Sequence, residues 1–181
     1  MRHEVVRSLT LMVLLVCGIW GQARGSQERV KVTMVVGKVE IRTPNSPRWR
    51  PARVGMPVRM GWDVRTYVES RAELEFATGS KIKVGENSVV TLTKAMHKQK
   101  STQSSLKVGT GRVWANVKKL TGNRSSFEFE TPTAVAAIRG TRLGLKVGQR
   151  GDSIEVYEGL VMVRRRGGSR EVPVGTRNRA V

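Results

Sequence analysis

Cysteine is nearly missing from this chain. One residue, Cys17, occurs in 181, and it lies in an apolar leader. The rest of the chain can form neither a disulfide nor a thiolate metal site. Histidine is as scarce: His97 is the sole one after residue 25, and it sits in a basic, polar stretch. A Ser–His–Asp unit or a histidine metal cluster is therefore not expected, and neither is any metal or other cofactor. Asp63 and Asp152 are the only aspartates and read as turn residues. Acidic side chains in general are outnumbered, with 33 Lys and Arg against 14 Asp and Glu, a formal charge of +19. A surface this positive favours polyanions and speeds encounter with them.

Long apolar runs are also lacking. The longest, Leu9–Trp20, falls well short of the roughly 20 residues a membrane-spanning helix needs. It follows Arg2 and Arg7 and precedes Ala23-Arg24-Gly25, so residues 1–25 read as a secretory signal peptide cut before Ser26. An uncleaved anchor is the alternative. A lipoprotein reading rests on Leu14-Leu15-Val16-Cys17, where Val16 is larger than lipid attachment wants. The remaining Ser26–Val181 holds 30 Lys and Arg against 13 Asp and Glu, or +17. No transmembrane span is expected in it.

What is present is strand. Ala72–Phe76, Lys81–Val84, Val90–Thr93 and Phe127–Glu130 alternate apolar and polar residues, the period of half-buried strands. Val32–Ile41 and Ile154–Val163 have the same β-rich composition, and glycines punctuate the series. Arg164-Arg165-Arg166, Gly167-Gly168 and Glu171–Val174 read as a closing hairpin. No amphipathic helix is found. Three segments read as connections: Gly109-Thr110-Gly111 as a turn, Lys94–Ser105 as a long mobile hairpin loop, and Leu120–Ser126 as a polar turn. The last contains Asn123-Arg124-Ser125, an N-glycosylation acceptor pattern to which no meaning is attached here. Short strands at this spacing fit a sandwich, a barrel or a solenoid, and periodicity alone does not choose among them.

A catalytic carboxylate pair for glycoside hydrolysis could draw on Glu73, Glu75, Glu128 and Glu130. Their positions opposite apolar neighbours predict solvent-facing side chains instead. Gly109–Gly111 lacks the Gly-Lys-Ser/Thr of a phosphate loop. No catalytic residues are assigned. Trp49, between Arg48 and Arg50 in the Pro-rich stretch Pro44–Pro57, could stack on a sugar or a base if exposed; core packing is the expectation for it. Trp114 is expected to pack on the core on one side. No ribonucleoprotein-type aromatic motif or zinc site accompanies the charge, so nucleic acid is not the expected partner.

One ordered set of motifs goes further. Thr131-Pro132-Thr133-Ala134-Val135-Ala136-Ala137-Ile138-Arg139-Gly140-Thr141 is followed, about a dozen residues on, by Glu155–Val163 with Glu158-Gly159 inside it. Upstream lie Trp49, Val54-Gly55, Gly61-Trp62-Asp63-Val64-Arg65-Thr66 and Gly79-Ser80. Over roughly residues 32–174 this resembles the FecR domain family; Trp62 departs from it, at a position the family more often fills with a small or aliphatic residue. The resemblance implies an all-β, twisted solenoid-like or sandwich-like single domain at 26–174, with 175–181 a basic tail. It also implies a bacterial envelope protein outside the inner membrane. The best-known members add a cytoplasmic sigma-factor-binding region and one membrane helix, and receive a signal from an outer-membrane transporter. Neither addition is found in this sequence, so direct sigma-factor control is not expected.

The expectation is thus a non-enzymatic exported domain, periplasmic or secreted. It would bind an envelope protein or an anionic envelope polymer (wall, glycan or lipid headgroup) in signal sensing or envelope assembly. An enzyme acting on an acidic polysaccharide is the alternative. In the signature, the small alanines imply close backbone packing and Gly140 a positive φ. Arg139 and Thr141, with Trp49, Arg48 and Arg50, are the candidate binding residues.

Overall fold

The computed structural model describes residues 26–98, 101–119, 125–176 and 179–180. The leader with Cys17, Asn123-Arg124 and residues 177, 178 and 181 of the basic tail lie outside the described residues. Every regular element among the described residues is a strand. In chain order they are β1 (Ser26–Gln27), β2 (Val30–Val36), β3 (Val39–Arg42), β4 (Arg50–Pro51), β5 (Pro57–Val58), β6 (Asp63–Thr66), β7 (Arg71–Phe76) and β8 (Lys81–Val84). Then come β9 (Val89–Lys98), β10 (Ser101–Val117), β11 (Ser126–Glu130), β12 (Ala134–Ile138), β13 (Thr141–Gly148), β14 (Gly151–Glu158), β15 (Leu160–Arg165), β16 (Glu171–Gly175) and β17 (Arg179–Ala180).

The ladders form two sheets. The first runs β4-β3-β6-β9-β10-β11-β12-β15-β16, with β1 also on β9. The second runs β5-β2-β7-β8-β10-β13-β14-β17. All pairings are antiparallel except β10 with β11. The chain distributes its hairpins between the sheets: β7-β8 to the second, β9-β10 and β11-β12 to the first, β13-β14 to the second and β15-β16 to the first. The two sheets are thus built from one winding path.

Period-two patterning explains why the sheets face each other. Leu74 and Phe76, Ile82 and Val84, Phe127 and Phe129, and Leu143 and Leu145 are all buried, while the residues between them point outward. The sheets meet at Phe127, whose ring is 5.1 Å from Phe76 at 69° and 5.4 Å from Phe129. Such edge-on pairs add about 0.5–1.5 kcal/mol beyond the area they bury.

Three expectations are corrected. Gly109–Gly111 is no turn. It lies inside the 17-residue β10, which pairs with β9 as far as Thr110, with β13 from Gly111 onward and with β8 from Val113 onward. A register shift between Val108 and Thr110 marks the crossing. Glycines here permit a bulge and a change of sheet without ending the strand.

Nor is Lys94–Ser105 a loop: β9 and β10 stay paired to Lys98 and Ser101. Its inward positions hold Ala95, Thr102, Ser104 and Ser105, all buried, so burial there leaves no hydrophobic alternation to read. Ser104 donates to the buried Glu28 carboxylate and the Thr102 amide to Ser125 Oγ, so these groups have partners.

The two aspartates, expected in turns, sit in β6 and β14. Each accepts side-chain hydrogen bonds across strands, Asp63 from Arg42 and Thr91 and Asp152 from Thr133.

Candidate functional site

Trp49 does not reach the core; its ring lies on the outer face of the first sheet, half-buried. Successive outward positions of β3 and β6 place Glu40 beside Arg65 and Arg42 beside Asp63. The Arg65 guanidinium sits 4.1 Å from the Trp49 ring centre and 4.9 Å from that of Tyr67. Arg42 is 4.7 Å from Trp49, and Lys38 is 4.3 Å from Tyr67. Cations and rings therefore alternate along the face. Two carboxylates hold them: Glu40 accepts from Arg65 at 2.6 Å and from the Tyr67 hydroxyl at 2.7 Å, and Asp63 accepts Arg42 Nη2 at 2.6 Å.

The stacking surface of Trp49 is thus occupied by the protein's own arginines, while Arg48 and Arg50 beside it are exposed. Core packing was expected for Trp49 because a lone tryptophan in a loop carries no record of which strands pass beneath it. Arg42, Arg65 and Tyr67 were not singled out from the sequence. Their signal was the alternation Lys38-Glu40-Arg42 and Asp63-Arg65-Tyr67, charged or aromatic at every second residue.

Hydrogen bonds from Arg65, then from Tyr67, hold the Glu40 carboxyl below its usual value of 4.5. A depressed folded-state pKa stabilises the fold above the unfolded value, and that contribution is lost as pH falls through the folded one. Glu40→Gln is therefore expected to melt below the parent at pH 7, with the gap closing as pH falls below about 4.5. A gap independent of pH, measured by thermal unfolding across that range, would show that Glu40 acts only as a hydrogen-bond acceptor.

The 131–141 segment forms a joint between layers. Thr131 is buried, and its hydroxyl oxygen accepts the Ala134 amide at 2.9 Å, closing the β11–β12 turn. Arg166 clamps that turn from outside: its amide donates to Thr133 O at 2.7 Å and its guanidinium to Thr131 O at 3.2 Å. At the far end Gly140 has φ +62 and Gly159 φ +92, and a Cβ on Gly159 would lie 2.9 Å from Gly140 O and 3.0 Å from Thr141 Oγ1. Thr141 is buried and donates to Leu160 O at 3.2 Å. Arg-Gly-Thr and Glu-Gly thus pack as complementary halves of one crossing, with Arg142 and Glu158 paired at 2.8 Å over it. Pro132 and Arg139 are exposed at its two ends.

Two concave regions accompany the second sheet. One, of about 690 Å³, lies at the β2–β5–β7 end and includes Glu28, Arg29, Lys31 and Arg59. The other, of about 580 Å³, lies on the outer face over β8, β10, β13 and β14, between Lys81, Lys83, Trp114, Arg142 and Tyr157. Trp114 is half-buried there rather than seated in the core. The carboxylates weighed for catalysis do face outward: Glu73 is bound by Thr33 and Lys81, and Glu130 by Ser105 and Thr93. Among the described residues no three His, Cys, Asp or Glu side chains gather where a cation could be held, and no helix is long and apolar enough to cross a membrane.

The sequence model of the family described as FecR protein matches residues 62–162. Two crystal structures of a protein from Parabacteroides distasonis, described as a putative anti-sigma factor, share the fold. Their TM-scores are 0.52 and 0.53 at 13% identity, over 65% of this chain and 52% of theirs. The likeness thus spans about half the length of those proteins. No curated protein matches.

Proposed function

The chain belongs to the FecR protein family, and from that premise we propose that it is an exported, non-enzymatic binding domain, engaging an envelope protein or an anionic envelope polymer in signal sensing or assembly. One observation carries the reading. Between Thr43 and Trp62 there is no acidic residue, and Arg48, Arg50, Arg53 and Arg59 are all exposed. None of the four pairs with a carboxylate among the described residues. Short edge strands β4 and β5 hold this stretch on the sandwich, so the charge is presented on an ordered base. Uncompensated arginines raise the energy of the free protein and favour an acidic partner.

The test is capture by isolated cell walls, anionic vesicles and envelope extract at low and high salt. Expected is capture that fades as the Debye length falls from about 10 Å at 0.1 M to about 3 Å at 1 M, and that drops when all four arginines are changed to serine. No capture by any of the three, or capture indifferent to both salt and the arginines, would reject the reading.

A further inference from the structure

The outer face of the second sheet carries features that the joint, the core and the arginine stretch do not use. Register places Trp114 between Lys83 of β8 and Gly144 of β13, and Gly144 beside Glu155 of β14. Both aromatic residues of this face lie over glycines. A Cβ on Gly85 would stand 2.9 Å from Trp114 Cζ3, and one on Gly144 would stand 2.8 Å from the Tyr157 hydroxyl. Any larger residue at either place would lift the ring off the sheet. Tyr157 is 46% exposed although burial, then Glu155, raises its pKa above 10.0. The two facts agree if the hydroxyl end is covered and the ring is presented.

Cations surround the pair. Arg112 lies 5.6 Å from the Trp114 ring centre and is in register with Lys146. Lys83 and Lys146 are exposed, and neither pairs with a carboxylate among the described residues. Elsewhere on the face Lys81 pairs with Glu73 at 3.5 Å and Arg142 with Glu158 at 2.8 Å, while Glu155 accepts the Tyr157 hydroxyl at 3.3 Å.

We propose that this face binds an acidic polysaccharide, whose sugar rings lie against Trp114 and Tyr157 and whose acidic substituents pair with Lys83, Arg112 and Lys146. The inference rests on the reading above and narrows its polymer to a class and a place. Sugars present C–H faces that pack on aromatic rings, and the neighbouring strands, about 4.8 Å apart, set cations beside those rings. A shallow cleft along a flat sheet suits a linear chain. It lacks the deep apolar lining that small-molecule pockets use to bury a compact ligand.

The test titrates the whole purified protein with oligogalacturonate, sulfated dextran oligosaccharide, a neutral cello-oligosaccharide and oligo-dT, following binding by calorimetry. Expected is binding of at least one acidic saccharide, about tenfold weakened by Tyr157→Ala and by the Lys83→Ala, Lys146→Ala pair. The neutral saccharide should bind far more weakly. An unchanged melting temperature of Tyr157→Ala guards against loss of fold. Preference for the carboxylated or the sulfated chain identifies the substituent. Equal binding of oligo-dT and of both variants would overturn the site while leaving polyanion capture standing. So would failure of both acidic saccharides when walls are still captured. Capture of nothing would sink both readings.

Discussion

Gly111→Ala is expected to destabilise the protein by roughly 2–6 kcal/mol, combining backbone strain of about 1–3 with overpacking of about 1–3. Gly111 has φ +98, and a Cβ there would fall 2.1 Å from Ser88 Oγ and 2.5 Å from Ser88 Cα. The clash is with backbone, so no side-chain rotation relieves it. Ser88 is also committed: its hydroxyl oxygen accepts the Arg112 amide at 3.0 Å, and its own amide donates to the buried Thr66 hydroxyl at 3.1 Å. Moving Ser88 would disturb the place where β10 changes sheets. The melting temperature should fall by on the order of 6–20 °C for a domain of this size. Gly167→Ala is the control. Gly167 has φ +77 with nothing within 4 Å, so only the backbone cost applies. Equal melting losses in the two variants would show that Ser88 yields freely and that the crossing tolerates a side chain.

Phe127→Ala should cost about 3–5 kcal/mol, the range for emptying a buried aromatic site. Phe127 is 1% exposed and packs against Phe76 of the second sheet at 5.1 Å and against Phe129 of its own strand at 5.4 Å. Its loss removes two ring contacts as well as its own burial. Against a typical total of 5–15 kcal/mol, the urea midpoint should drop by about a fifth or more with the slope unchanged. A midpoint shift worth under about 1 kcal/mol would mean that the sheets close over the gap.

Strand positions that alternate apolar and polar residues were legible because each face has one solvent: Ala72–Phe76 and Phe127–Glu130 fold as their period dictates. The family motif was legible as order and spacing, and the positive φ at Gly140 follows from its residue type. The hairpin 94–105 was not legible, because hydroxyls and one alanine fill its inward side. Nor was the crossing at Gly109–Gly111, since two glycines in three residues spell a turn unless the partner strands on either side are known. The Trp49 and Trp114 environments include residues distant in sequence, Arg65 and Gly85 among them, and no local pattern joins these. Of the signature residues, Thr131, Gly140 and Gly159 are explained by packing, as is Thr141 among the candidate binding residues, whereas Arg48 and Arg50 stay exposed on the ordered edge.

Because β10 belongs to both sheets, neither layer possesses all of its own hydrogen bonds. Opening the first sheet at β9 leaves the front half of the strand on β11 and its rear half on β8 and β13. Amide protons on the two layers therefore share their slowest exchange event, and the sandwich behaves as one cooperative unit. A tug applied to either sheet is felt by the other through a continuous covalent strand, without relying on side-chain contacts across the core.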